Sequence, residues 1–109
     1  MLRQKGRIIP FVKRYSLPEA ATINDIKAST QTFISDAQQF ASLLREHIYG
    51  IMFDIVAYTN DKRGKVIVES VDTFFQQTFA DDCDIKWTIH SADESTREIC
   101  FKLYLKIED

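Results

Sequence analysis

Glycine is scarce in this chain, three in 109 residues, and the scarcity disfavours phosphate-cradling loops, which need backbone that turns sharply and approaches the ligand closely. Cysteine is limited to Cys83 and Cys100, no hydrophobic signal segment stands at the start, and no Asn-x-Ser/Thr acceptor occurs. These features argue against a secreted disulfide scaffold and lead us to expect two reduced thiols in an intracellular protein. Histidine and cysteine together supply four side chains, at 47, 83, 90 and 100. A structural zinc site wants four such ligands at close pairwise spacing, so no metal is expected. No His-Glu-x-x-His helix or nucleophile elbow is found. Cys83 and His90 fall on one expected strand, about 23 Å apart along extended chain, too far to act as thiol and base. Long apolar runs are also missing: Asp54 interrupts the best of them, Tyr49 to Tyr58, and a membrane span needs roughly 20 residues. Neither an integral membrane contact nor a cofactor is expected, and the chain reads as no enzyme.

What the chain does contain is 45% hydrophobic residues, enough for one core in a single domain of this length. Its net charge of −2 is unevenly spread, since Arg3, Lys5, Arg7, Lys13 and Arg14 precede the first acid. We read residues 1–15 as a basic N-terminal arm and 16–109 as one α+β domain. Such an arm suits phosphates, a lipid surface or an acidic partner, although nucleic-acid binding is disfavoured by the acidic remainder.

Ser16-Leu17-Pro18-Glu19 and Thr22-Ile23-Asn24-Asp25 each offer a capping-box spacing. Beyond them Ile26, Thr30, Phe33, Ala37, Phe40, Leu44 and Ile48 recur at helical steps, ending near Gly50. His47 then suits the negative end of that helix. The period changes to two over Ile51 to Tyr58, and a second run, Lys65 to Phe75, is read as its antiparallel neighbour. Ile85, Trp87 and Ile89, then Ile99, Phe101, Leu103, Leu105 and Ile107, alternate with polar residues and predict two more strands. The expected fold is therefore α+β, an N-terminal helix or helices packed on a four-stranded antiparallel sheet. Asp54 is expected on a solvated sheet face and Trp87 in the core. Adjacent Phe74 and Phe75, if on a strand, would point to opposite faces, so one of them would need cover from a second subunit or from the helix.

Thr73-Phe74-Phe75-Gln76 followed by Cys83-Asp84-Ile85-Lys86-Trp87 resembles the Tctex family of dynein light chains, whose pattern is Cys-Phe-Trp-Asp, a short acidic and polar loop, then Cys-x-Val-Arg-Trp. Thr73 stands in place of the first Cys of that pattern, Gln76 in place of the Asp, and the loop between the last two strands is longer. The resemblance implies a non-catalytic adaptor in the cytoplasm, associated with the cytoskeleton or with cilia. It also implies a homodimer that exchanges a strand between subunits and binds extended segments of dynein intermediate chain or cargo by strand addition. On that reading the strand Val66, Val68, Glu69, Ser70, Val71, Asp72, Thr73, Phe74 and Phe75 forms the dimer interface and peptide groove. Two other classes fit the same composition: a structural subunit of a larger assembly such as a viral particle, and a nucleic-acid binder working through the basic arm.

Overall fold

The computed structural model describes residues 6–44 and 46–108. Six elements follow in order: β1 (Arg7–Ser16), α1 (Ile23–Leu43), β2 (Ile48–Ala57), α2 (Asp61–Thr78), β3 (Asp84–Ser91) and β4 (Glu98–Ile107). The expected α+β architecture is present, with helices packed on a four-stranded sheet. The strands lie in the order β1-β4-β2-β3. β4 pairs antiparallel with both β1 and β2, whereas β2 and β3 run parallel. The sheet is thus mixed, not antiparallel throughout.

That correction follows from a second one. Lys65 to Phe75 is not a strand but most of α2. Parallel neighbours cannot be joined by a tight turn and need a crossover segment, and α2 supplies it between β2 and β3. Asn60 caps the helix, its side-chain oxygen accepting from the Arg63 backbone N–H at 2.9 Å. Ile67, Ser70, Val71, Phe74 and Phe75 are buried, at the three- and four-residue steps of one helical face. The adjacent phenylalanines therefore lie side by side on the inward stripe of a helix, and the strand-based inference that one of them needs a second subunit falls away.

The basic arm is corrected as well: Arg7 to Ser16 form an edge strand paired with β4 along its whole length, and residues 1–5 lie outside the described residues. Among the described residues the first element is this strand and not the helix. Of the two capping boxes, Thr22 to Asp25 forms: the Thr22 hydroxyl accepts from the Asp25 N–H at 3.2 Å, and the Asp25 carboxylate accepts from the Thr22 N–H at 2.8 Å. Ser16 instead closes β1. Helix α1 stops at Leu43 because Leu44 is already extended, and Gly50 is a residue of β2 rather than a helix cap.

Both helices cover the same sheet face. Phe33, from the middle of α1, lies parallel to Phe101 of β4 and Phe53 of β2, with centroids 4.5 and 5.4 Å away. Phe74 and Phe75 of α2 meet Phe53 edge-on, and Phe75 meets Trp87 in the same way. Each such ring taken out of water stabilises the fold by about 1.5–3 kcal/mol before entropy is counted. Trp87 is half-buried against this core.

Candidate functional site

Strand alternation assigns every second residue to the face opposite the helices. Since Ile9, Phe11 and Tyr15 pack toward the core, Ile8, Pro10, Val12 and Arg14 of β1 look the other way. Cys100, Lys102, Tyr104 and Lys106 of β4 join them, together with Met52, Asp54 and Val56 of β2 and Lys86, Thr88 and His90 of β3. No described element lies over this face. Three of its aliphatic side chains are open to solvent, Ile8 at 61% and Val12 and Met52 at 43% each. A sheet face bearing exposed aliphatics between charges is the surface on which a partner would gain most from docking.

The pairing fixes what stands beside what. Across β4 and β2, Lys102 is the register partner of Asp54, Tyr104 of Met52 and Cys100 of Val56. Across β2 and β3, Asp54 is paired with Thr88 and Val56 with His90. The Thr88 hydroxyl donates to Asp54 Oδ1 at 2.8 Å and lies 3.3 Å from His90 Nε2, itself 3.7 Å from the same carboxylate oxygen. Hydroxyl, imidazole and carboxylate converge here, but not in the order of a proton relay. In a relay the hydroxyl meets one ring nitrogen and the carboxylate meets the other. Here hydroxyl and carboxylate both approach the same ring nitrogen, Nε2, and the threonine proton is directed to Asp54. The cluster is a polar cross-strand ladder that orients Asp54, and Asp54 sits on the half-exposed face expected for it. His47 lies beyond the end of α1, with its Nε2 3.5 Å from Asp82 Oδ2.

A concavity lies between the helices, a groove of about 290 Å³ lined by Lys27, Gln31, Ile34 and Gln38 of α1 and Glu69, Ser70, Thr73, Phe74 and Gln77 of α2. Gln31 spans it toward Ser70, Nε2 to Oγ 3.4 Å. Four residues expected at the interface, Glu69, Ser70, Thr73 and Phe74, therefore do share a concave surface, on a helix instead of a strand edge. Val68 and Asp72 are solvent-exposed, Val66 is half-buried, and Val71 and Phe75 belong to the core. These residues present no free backbone for strand addition, because the N–H and C=O groups of α2 are spent within the helix.

Free backbone is found instead at the two sheet edges, β1 and β3. They differ in chemistry. β1 contains Pro10, which has no N–H to offer, and carries Arg7, Lys13 and Arg14, the devices by which edges are blunted against further pairing. β3 is free of proline. It directs Ile85, Trp87 and Ile89 toward the helical layer, half-buried, and Lys86, Thr88 and His90 toward the open face. The alternation of Ile85, Trp87 and Ile89 marks β3 as a strand, but its place at an edge depends on β4 inserting between β1 and β2.

No family model matches the chain, and no curated protein matches it. Among solved structures, thiamine monophosphate kinase from Aquifex aeolicus superposes with a TM-score of 0.61 at 10% identity, over 96% of this chain and 36% of that one. FtsZ of M. jannaschii, as its W319Y mutant, superposes with a TM-score of 0.54 at 8% identity, over 93% of this chain and 28% of that one. Thiamine monophosphate kinase from Stenotrophomonas maltophilia gives 0.54 at 6% identity, over 98% and 33%. The chain thus spans about a third of the length of these larger proteins. At such identities the likeness is one of fold: the β-α-β-α-β-β arrangement recurs as part of larger chains.

Proposed function

We propose that this protein is a non-catalytic adaptor that takes an extended segment of a partner protein along the free edge of β3. The observation that carries the reading is the contrast between the two edges. β1 is blunted by Pro10 and its cations, whereas β3 offers eight residues of strand with apolar side chains half-buried on one side and polar ones on the other. An added strand would gain main-chain hydrogen bonds from β3. Its side chains would alternate between the flank of Trp87 and Ile89 and the ladder of Lys86, Thr88 and His90. The polar geometry of Asp54, Thr88 and His90 supports a binding role over a catalytic one, since it presents hydrogen-bonding groups without a proton relay.

Trp87 is the single tryptophan of the chain, so its emission reports directly on this edge. A displayed library of short random peptides, supplemented by a dynein intermediate-chain segment because of the Tctex resemblance, serves as the probe. The expected result is a peptide that shifts Trp87 emission and slows hydrogen exchange along Asp84–Ser91. Peptides that protect only α2, or a library that yields none acting on Trp87, would overturn the reading.

A further inference from the structure

The uncovered sheet face is polarised. On its β1–β4 half, Arg14, Lys102 and Lys106 outnumber Glu98. On its β2–β3 half, Asp54 and Asp84 outnumber Lys86. Near the middle of the sheet the halves meet at two register pairs, Lys102 with Asp54 and Tyr104 with Met52. A half-turn about an axis along the strands would lay one half over the other and set Lys102 against Asp54.

We propose that a second copy of this chain covers the face, related by a two-fold axis running along the strands between β4 and β2. Rotation about that axis exchanges β4 with β2 and β1 with β3 while keeping each residue at its level along the strand. Lys102 of one copy then lies over Asp54 of the second, and the reverse pair forms at the same time. Tyr104 lies over Met52 of the second copy, and Cys100 over Val56. Such an isologous contact satisfies the requirement that one patch serve both subunits.

The area suffices. Four strands about 4.8 Å apart and up to ten residues long, at about 3.3 Å per residue, give roughly 600 Å² in plan. Side-chain relief adds to this, approaching the about 800 Å² per partner of a standard stable interface. Met52 over Tyr104 and Val56 over Cys100 supply apolar contact that the charges alone would not. The second copy covers the side of β3 that bears Lys86, Thr88 and His90, whereas an added strand pairs with the backbone at the outer edge of β3, so solution mass tests the dimer and protection of Asp84–Ser91 by peptide tests strand addition.

Light scattering and sedimentation measure the mass of the wild-type chain and of two variants, Lys102→Asp and Asp54→Lys. Wild type is expected to be dimeric at micromolar concentration. Each variant places like charges across the interface twice and should associate roughly a hundredfold more weakly. An equimolar mixture of the two variants should recover the dimer, because each substituted residue then faces its opposite charge on the other copy. Within each chain, by contrast, the Lys102–Asp54 neighbours stay mismatched. A monomeric wild type, variants that still dimerise alone, or a mixture that remains monomeric would overturn the proposal. Where a variant fails to fold, zero-length amine–carboxyl cross-linking of the wild type decides. A covalent dimer joined between Lys102 and Asp54 supports the interface, and a dimer lacking that junction, or no dimer, refutes it.

Discussion

Phe33 and Phe101 stack with ring centroids 4.5 Å apart and planes 11° from parallel, which ties the middle of α1 to the centre of the sheet. Both side chains are fully buried, and Phe33 also stacks on Phe53 and contacts Phe11 of the edge strand. Replacing Phe33 by alanine removes this shared contact and leaves a cavity beneath three strands. The expected cost is about 3–5 kcal/mol, much of the stability of a domain this size. Urea unfolding monitored by circular dichroism should show a matching fall in midpoint.

Two glycines give opposite predictions. A Cβ at Gly64, in the first turns of α2, would meet nothing within 4 Å. Gly64→Ala should therefore stabilise the protein by about 0.4–1 kcal/mol, through helix propensity and a less disordered unfolded chain. A Cβ at Gly6 would stand 2.8 Å from the Ile107 carbonyl oxygen and 2.7 Å from the Tyr49 hydroxyl. The tyrosine tip can swing aside, but the backbone cannot do so without disturbing the β1–β4 pairing. Gly6→Ala should cost about 1–3 kcal/mol. Thermal melts of the two variants measured side by side check both signs.

The parts of the fold that were legible in the sequence were those whose period was unmistakable. Ile26, Thr30, Phe33 and Ala37 trace α1, and the alternations at Ile85 to Ile89 and Ile99 to Ile107 trace β3 and β4. The reading failed where local propensity and tertiary demand disagreed. Val66, Ile67 and Val68 are β-branched, but the burial of Ile67, Val71, Phe74 and Phe75 follows a helical step, and Asn60 is a helix cap. That spacing, together with a run longer than most strands, was the signal available. In the basic arm the apolar residues Ile9, Phe11 and Tyr15 do alternate, but Arg7, Lys13 and Arg14 stand among them and give the segment the composition of a solvated tail. The candidate site was legible only in part. Asp54 was placed on an open face, yet the placing of β3 at an edge and of β4 in the centre comes from pairing between residues distant in sequence, which no local pattern records.

Tyr15 and Cys83 make stability fall on the alkaline side. Burial pushes the Tyr15 phenol above its ordinary value, and Asp36 adds to the shift; burial does the same to the Cys83 thiol, helped by Asp82 and Asp84. In both groups the neutral form is favoured in the folded state. Below the ordinary thiol range, at about pH 8.5, folded and unfolded chains hold the same protons at these sites and nothing is lost. As pH rises beyond it, the unfolded chain ionises Cys83 first and then, near pH 10, Tyr15, while the folded chain resists, so unfolding gains progressively. Denaturation midpoints measured from pH 7 to 11 should therefore decline from about pH 8.5 upward. The Tyr15 hydroxyl is buried without a hydrogen-bond partner among the described residues, although the ring sits edge-on to Phe101. Tyr15→Phe should thus raise stability at neutral pH by about 1 kcal/mol, by removing an unsatisfied polar group, and should flatten the decline above pH 10. A Tyr15→Phe variant that is less stable at pH 7, or as alkali-sensitive as wild type, would contradict this assignment.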